Sequence, residues 1–121
     1  MGEFRGIFNT PDPARAPATT IAAMTHHDLI DTAQQLPAAW RSTVLARAAG
    51  AQIKVLRMDG QAYPDETHDF DEALIVLEGV MHLTVAGHTQ AVTGGQMVVV
   101  PAGLPHAVAP GSQGTLLIVD R

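Results

Sequence analysis

The sequence predicts an all-β protein, built as an antiparallel sandwich or barrel. From residue 40 onward, apolar residues follow the two-residue period of strands. Glycine and proline interrupt this pattern every few residues, as they do at turns between short strands. Only one short stretch of the chain has a helical period. A chain with many short strands and hardly any helix is typical of antiparallel sandwiches and barrels.

The length and composition of the chain limit its function as well as its fold. At 121 residues it is long enough to bury one core and too short for two domains. A formal net charge of −5, with seven scattered basic residues, argues against partners such as nucleic acids and anionic membranes. No stretch has the length of a membrane span or the pattern of a signal peptide, so we expect a cytoplasmic protein. Small molecules, cations and other proteins remain as partners.

The chain contains no cysteine, which restricts the kind of metal site it can build. Disulfides and thiolate metal sites are both excluded. Any metal must therefore be bound by nitrogen and oxygen ligands.

Residues 1–25 are predicted to be a flexible N-terminal arm, and residues 26–121 a single barrel domain. The segment FNTPDPARAPATT carries three prolines and has neither a helical nor a strand period. Met24 is a candidate for the natural start of the chain. A short helix is expected over residues 29–36, with Asp28 or Thr25 as its cap and Pro37 at its end.

Eight strands are expected after the helix. The first two surround the turn at residues 49–51, and the third and fourth meet at a turn at Glu78 and Gly79. The predicted strands comprise residues 40–48, 52–58, 72–77, 80–86, 88–92, 96–100, 105–108 and 115–119. Several are apolar on both faces, which is expected when one face lines a barrel and the other packs against a second layer or subunit.

Residues 60–79, GQAYPDETHDFDEALIVLEG, place acidic side chains and one histidine directly before an apolar strand. Six of the twelve acidic residues lie in this segment. Such a crowd of carboxylates is relieved by cations or water, so the segment is either a solvated turn or a cation site. If the segment is extended, Glu66, His68 and Glu72 are separated by even numbers and point to one face.

This segment resembles the first motif of the cupin family in its spacing. The matching residues are Gly60, Glu66, His68, Glu72 and Gly79. The family has a histidine where Glu66 stands. The role of Glu66 is therefore open among direct metal binding, binding through a water molecule and pointing to solvent.

A second cluster resembles the second cupin motif and follows the first at the separation found in small single-domain cupins. The matching residues are Gly95, Pro101, Gly103 and His106. Pro110 stands where the family usually has an asparagine. Pro101 and Gly103 are expected to set the bend that presents His106.

The resemblance implies a double-stranded β-helix, the jelly-roll cupin barrel, which is often dimeric and holds one divalent transition metal. In the family, three histidines and a glutamate bind this metal. Carried over by position, the ligands are His68, Glu72 and His106, with Glu66 in place of the first histidine. Two imidazoles with up to two carboxylates suit Fe, Mn, Zn or Ni.

Two functions are compatible with this resemblance. The first is a small metal-binding cupin that acts on a small organic molecule in the barrel, as a dioxygenase or an isomerase. The second is a non-catalytic cupin that binds or senses a small ligand and has a vestigial or absent metal site, which the exchange at Glu66 favours. Trp40, Met58 and Tyr63 are expected to line the mouth of the barrel. A homodimer is expected, because small jelly rolls expose sheet edges and apolar faces.

The remaining histidines have plainer interpretations. His82 alternates with the apolar face of its strand, so it is expected on the opposite face, away from the pocket. His88 follows a glycine in a hairpin and is expected in solvent. His26 and His27 precede the helix and are expected on the surface.

Overall fold

Eight antiparallel strands and one short helix make up the part of the chain that the computed structural model describes, residues 24–121. In chain order they are α1 (Leu29–Gln35), β1 (Thr43–Ala48), β2 (Ala51–Asp59), β3 (Tyr63–Glu66), β4 (Glu72–Val85), β5 (His88–Thr93), β6 (Met97–Val100), β7 (His106–Val108) and β8 (Gln113–Asp120). The predicted arm, residues 1–25, lies outside the described residues except for its last two positions.

The predicted helix is confirmed, and side chains complete both of its ends. The Asp28 carboxylate accepts a hydrogen bond from the Asp31 amide at 3.0 Å, so Asp28 is the cap. At the other end, Arg57 on β2 donates to the carbonyls of Ala33 and Leu36 at 2.9 and 2.8 Å. These bonds attach α1 to the sheet. No helix within residues 24–121 is long and apolar enough to span a membrane.

The strands form one curled antiparallel sheet, which confirms the predicted all-β class. Its order is β1-β2-β8-β4-β7-β3, and β5 and β6 also pair with β4. The fourteen-residue strand β4 therefore contacts four other strands. Its first half pairs with β6, and its second half pairs with β5 and β7. The sheet curls around this strand and encloses the core.

The turn predicted at Glu78 and Gly79 is wrong, because the two strands expected on either side of it form the single strand β4. Pairing with β8 continues past this point, with a shift in register between Val76 and Glu78. The shift is a bulge that changes which side chains face inward. Even-numbered residues up to Val76 are buried before it, and Met81 and Leu83 are buried after it. Both halves therefore direct apolar side chains into the barrel.

The short strand β3 was not predicted. Its sequence, YPDE, contains a proline and two acidic residues, which are disfavoured in strands. It pairs with β7 at only two positions, Tyr63 with Val108 and Glu66 with His106. This edge strand therefore depends on its tertiary partner, and local sequence preference does not reveal it.

The core is formed by aliphatic and methionine side chains, in keeping with the scarcity of aromatic residues. Ten buried side chains contribute: Leu56, Met58, Leu74, Val76, Met81, Leu83, Val92, Val100, Leu116 and Ile118. The inward-facing side chains of β2, β4 and β8 are mostly apolar. At one end of the barrel, however, the inward positions of these strands are occupied by Lys54, Glu72 and Asp120. The barrel interior is thus apolar in the middle and charged at that end.

A prediction follows from the close crossing of β4 and β8 at Gly79 and Gly114. Gly79 has a φ of 87°, and an added Cβ would overlap the Gln113 carbonyl and lie 2.9 Å from the Gly114 Cα. Because backbone cannot move aside as a side chain can, we expect Gly79→Ala to lower the free energy of unfolding by about 3 kcal/mol. Urea unfolding followed by circular dichroism measures this change.

Gly95→Ala is the matched control. Gly95 has almost the same φ, 88°, but nothing lies within 4 Å of an added Cβ. Its substitution carries only the cost of the left-handed conformation, about 1–2 kcal/mol. Equal losses in the two variants would show that the crossing of β4 and β8 is not sterically restricted.

Candidate metal centre and ligand pocket

A cavity of about 160 Å³ lies in the barrel interior at its charged end. Its apolar lining includes Leu56, Leu74, Met81, Leu116 and Ile118. Its polar lining includes Lys54, Glu66, His68, Glu72, His106 and Asp120. The cavity therefore combines an apolar wall with a small set of ionisable groups, as pockets for small molecules commonly do.

His68, Glu72 and His106 come together in this cavity. Their potential ligand atoms all lie within 4.8 Å of one another. The Glu72 Oε1 atom is 3.2 Å from the His106 Nε2 and 3.8 Å from the His68 Nε2. Glu72 and His106 are buried, and His68 is partly buried. Within residues 24–121, no other group of three or more such side chains is arranged to hold a metal.

The orientation of His106 makes its Nε2 available as a ligand. Its Nδ1 lies 3.0 Å from the Leu104 carbonyl, which can only accept, so Nδ1 is the donor. In the neutral ring this leaves a lone pair on Nε2, directed at the Glu72 carboxylate. Two acceptors at 3.2 Å require a proton or a cation between them. The donor set therefore fits a divalent metal, which would take the place of that proton.

His68 is held by contacts between two loops. It lies between β3 and β4, and its carbonyl accepts a hydrogen bond of 2.7 Å from the Gly103 amide. In the same region the Asp71 carboxylate accepts from the Ala102 amide at 2.9 Å. The His68 ring is also stacked on Phe70, with centroids 5.0 Å apart. The loop before His106 and the loop that carries His68 are therefore joined, which sets the spacing of the two imidazoles.

Glu66 lies beside these three residues but outside the group that they form. Its Oε1 is 3.1 Å from the His68 Nε2, and its side chain is 37% exposed. The expectation that Glu66, His68 and Glu72 share one extended strand is wrong. Glu66 ends β3, His68 is in a loop and Glu72 begins β4. They still converge because β3 and β4 lie on either side of β7, which carries His106.

Two of the three residues expected at the mouth of the barrel line the cavity. Trp40 and Tyr63 do so and stack on each other, with centroids 5.7 Å apart. The Trp40 Nε1 donates to Asp59 at 2.6 Å, which holds the indole in place. Met58 was placed wrongly, because it is 2% exposed and belongs to the core.

Lys54 and Asp120 are cavity residues that the sequence analysis missed. The Lys54 Nζ and the Asp120 Oδ2 are 2.7 Å apart. The two-residue period of strands could have revealed them. Lys54 is two residues from Leu56 on β2, and Asp120 is two residues from Ile118 on β8, so each charged side chain points to the same face as an apolar one. Charged residues at the inward positions of apolar strands are candidates for a site.

The other histidines lie as expected, away from the cavity. His82 is partly buried on β4 but does not line the cavity. His88, His26 and His27 are exposed.

Burial raises the pKa of Glu72 above its usual value. The nearby His68 and His106 oppose this rise, whereas the carboxylates of Asp120 and Glu66 add to it. The pKa is raised because the loss of hydration outweighs the favourable interaction of the carboxylate with the two imidazoles. A bound divalent cation would reverse the balance and favour the ionised carboxylate.

The chain is similar to known proteins in its family motifs and in its fold. A family model described as Cupin domain matches residues 55–120. No curated protein matches the sequence. Three of the solved structures that resemble this chain are a cupin-2 domain containing protein from Shewanella frigidimarina, a conserved protein of unknown function from Streptococcus pyogenes and a cupin superfamily protein from Desulfitobacterium hafniense.

These three structures share the fold of the chain at low sequence identity. The Shewanella protein is 23% identical with a TM-score of 0.67, and the match covers 74% of this chain and 87% of that one. The Streptococcus protein is 27% identical with a TM-score of 0.62, covering 80% and 89%. The Desulfitobacterium protein is 20% identical with a TM-score of 0.63, covering 79% and 91%. Nearly their whole length therefore corresponds to residues of this chain.

The raised pKa of Glu72 generates a prediction about pH and stability. Above its folded-state pKa, the buried carboxylate is ionised and its desolvation lowers stability. As the pH falls from that value towards the usual 4.5, the folded state keeps the proton more tightly than the unfolded chain and gains stability. Glu72→Gln has no such proton to gain. In chelator-treated protein, we expect the free energy of unfolding of wild type, relative to Glu72→Gln, to rise as pH falls over this interval.

Urea unfolding of both proteins at several pH values between 7.5 and 4.5 measures the difference. A difference that stayed constant, or moved in favour of Glu72→Gln at low pH, would contradict the raised pKa. Glu78→Gln is the control, because Glu78 lies on the same strand outside the cavity.

Proposed function

Because the chain belongs to the cupin family, we propose that it is a small metal-binding cupin that acts on a small organic molecule inside the barrel. The observation that carries this proposal is the convergence of the His68 and His106 Nε2 atoms on the Glu72 carboxylate. A jelly-roll barrel with one polar end and an apolar wall is the setting in which such a group can bind both a metal and a ligand.

His68, Glu72 and His106 would hold the metal, with Glu66 as a fourth candidate beside His68. Two nitrogens and one or two carboxylate oxygens suit Fe, Mn, Zn or Ni and leave coordination positions open. A metal held by these residues would supply a Lewis acid or a redox centre to a small molecule in the cavity, and the reaction is proposed to be an isomerisation or a dioxygenation.

The residues of the chain contribute orientation and exclusion of water. The hydrogen bond from His106 to the Leu104 carbonyl keeps its Nε2 directed into the cavity. The apolar wall lowers the local dielectric, which strengthens every interaction between the ionisable groups and a bound ligand. Trp40 and Tyr63 provide flat surfaces against which a ligand can pack.

A non-catalytic cupin that binds or senses a small ligand is the second candidate. Glu66 is the observation that favours it, since its side chain is 37% exposed and takes the place of a histidine ligand in the family motif. The two candidates differ in metal content, which makes metal analysis the decisive test.

Metal content is predicted to depend on His106. We expect one divalent metal per chain in protein purified without chelator, measured by elemental analysis. His106→Ala removes a buried ligand and is expected to abolish binding. Glu66→Ala is expected to weaken binding by about tenfold or less, because Glu66 is at the edge of the group.

His88→Ala is the matched control, because His88 is exposed on β5 and does not line the cavity. It should retain one metal per chain. Absence of metal in wild type, even after reconstitution with Fe(II), Mn, Zn and Ni, would overturn the metal centre and favour the non-catalytic candidate.

We also propose a homodimer, supported by apolar side chains on the outside of the barrel. Val44 on the edge strand β1 is 45% exposed, and Met97 and Val99 on β6 are 59% and 52% exposed. Covering such side chains with a second copy removes apolar surface from water. Light scattering at micromolar concentration is expected to give twice the mass of the chain, 12.7 kDa. A monomer under these conditions would contradict the proposal.

A further inference from the structure

Lys54 and Asp120 form an ion pair on the wall of the cavity, outside the candidate metal centre, in which Asp120 is buried and Lys54 is partly buried. Their charged atoms are 2.7 Å apart, and the Asp120 side chain is 1% exposed. Only one of the two Asp120 oxygens takes part in this contact. Its Oδ1 is the one buried side-chain nitrogen or oxygen within residues 24–121 that has no hydrogen-bond partner. Asp120, which lines the cavity, therefore has one covered oxygen without a partner in the described part of the protein.

The strand register places this pair next to the metal centre. Ala73 on β4 is opposite Val119 on β8, so Asp120 follows on the face that Glu72 occupies on β4. On the other side of β8, Ile118 is opposite Lys54 on β2. Lys54, Asp120 and Glu72 therefore form a continuous polar row across three neighbouring strands. A molecule held at the metal centre can reach the pair without leaving the cavity.

Stability alone gives a poor explanation for this arrangement. When two charges are removed from water, their mutual attraction only partly compensates for the lost hydration. A protein with apolar residues at such positions is often as stable as one with the ion pair, or more stable. The cost is greater here, because a buried carboxylate oxygen without a donor loses its hydrogen bonds to water and gains none. Unpaired buried groups of this kind are frequent where a ligand completes the hydrogen bonding.

We propose that Lys54 and Asp120 orient the ligand, and that this ligand is a small molecule with a hydroxyl group next to a carbonyl or carboxylate oxygen. The hydroxyl donates to the Asp120 Oδ1, and the neighbouring oxygen accepts from the Lys54 Nζ. The ammonium has three donors, and its contact with Asp120 accounts for one of them. The inference rests on the proposed function in one respect, that the cavity binds a small organic molecule.

The charges around the pair favour a hydroxyl over other donors and acceptors. A ligand ammonium at Oδ1 would be attracted by the Asp120 carboxylate, but repulsion from the Lys54 ammonium would offset part of this attraction. A ligand with acceptors only would leave Oδ1 without a partner and meet the carboxylate charge of Asp120. A neutral hydroxyl satisfies Oδ1 at no electrostatic cost, and the adjacent oxygen uses the positive charge of Lys54. The α-hydroxy acids and α-hydroxy ketones share this pattern.

The test compares two probes that differ by this hydroxyl, lactate and propionate. Lys54 is the only lysine in the sequence, so protein labelled with ¹³C at the lysine Cε gives a single side-chain signal in NMR spectra. Titration of the full chain should move this signal, with lactate binding about tenfold or more tightly than propionate. Hydroxyacetone and acetone form a second pair, and selectivity in that pair alone would also support the proposal and assign the ketone class.

Two variants separate ligand orientation from a structural role. Asp120→Asn should reduce the lactate-to-propionate ratio to about twofold or less, because the acceptor loses its charge. A purely structural role would weaken both probes equally and leave the ratio unchanged. The same result would follow if the hydroxyl were bound only by a metal. Asp65→Asn, an exposed position on β3, is the matched control and should keep the wild-type ratio.

The outcomes also distinguish this inference from the proposed metal centre. Three results would overturn the role of Lys54 and Asp120. They are equal binding of the two probes in each pair, absence of any probe-induced shift of the lysine signal, and an unchanged lactate-to-propionate ratio in Asp120→Asn. The comparison of probes in wild type needs no variant to fold. If elemental analysis finds no metal but the selectivity depends on Asp120, the metal centre fails and the present inference stands.

Discussion

The structure depends on the pairing of β4 with β8 across a point where two backbones come into close contact. Gly79 and Gly114 face each other there, and a side chain on either would overlap the opposite strand. This contact lets β4 remain one strand while its register with β8 shifts. After the shift, odd-numbered instead of even-numbered side chains face inward. Without the shift, one half of β4 would direct its apolar residues to solvent. The inward direction of the apolar side chains on both halves of β4 therefore depends on this crossing.

The charged end of the barrel results from the same pairing. β8 lies between β2 and β4, so inward positions of the three strands are neighbours. Ionisable side chains at these positions lose hydration together, and each is stabilised mainly by the others: Lys54 by Asp120, and Glu72 by His68 and His106. The balance is incomplete, as the raised pKa of Glu72 and the unpaired oxygen of Asp120 show. An incompletely balanced group of charges is suited to a cation and a polar ligand.

Sequence patterns predicted the class of fold and much of the candidate site. Period-two runs and turn residues located most strands, because side chains on a half-buried strand alternate irrespective of its partners. The motif spacing singled out Glu66, His68, Glu72 and His106, and the structure brings the ligand atoms of the last three within 4.8 Å of one another. Two of the errors have separate local causes. β3 has no strand preference of its own, and the glycine at position 79 was interpreted as a turn because a bulge and a turn both use positive φ.

The sequence by itself determined the all-β class and the lack of thiolate ligands, and it singled out Glu66, His68, Glu72 and His106 as candidate metal ligands. Tertiary structure alone decided that Glu66 and Glu72 approach from different strands, and that Lys54 and Asp120 join them in one cavity. Residues 54 and 120 lie far apart in the sequence, and only the register of β2 against β8 brings them together. Local periodicity shows which face a residue occupies, whereas strand pairing decides which residues share that face.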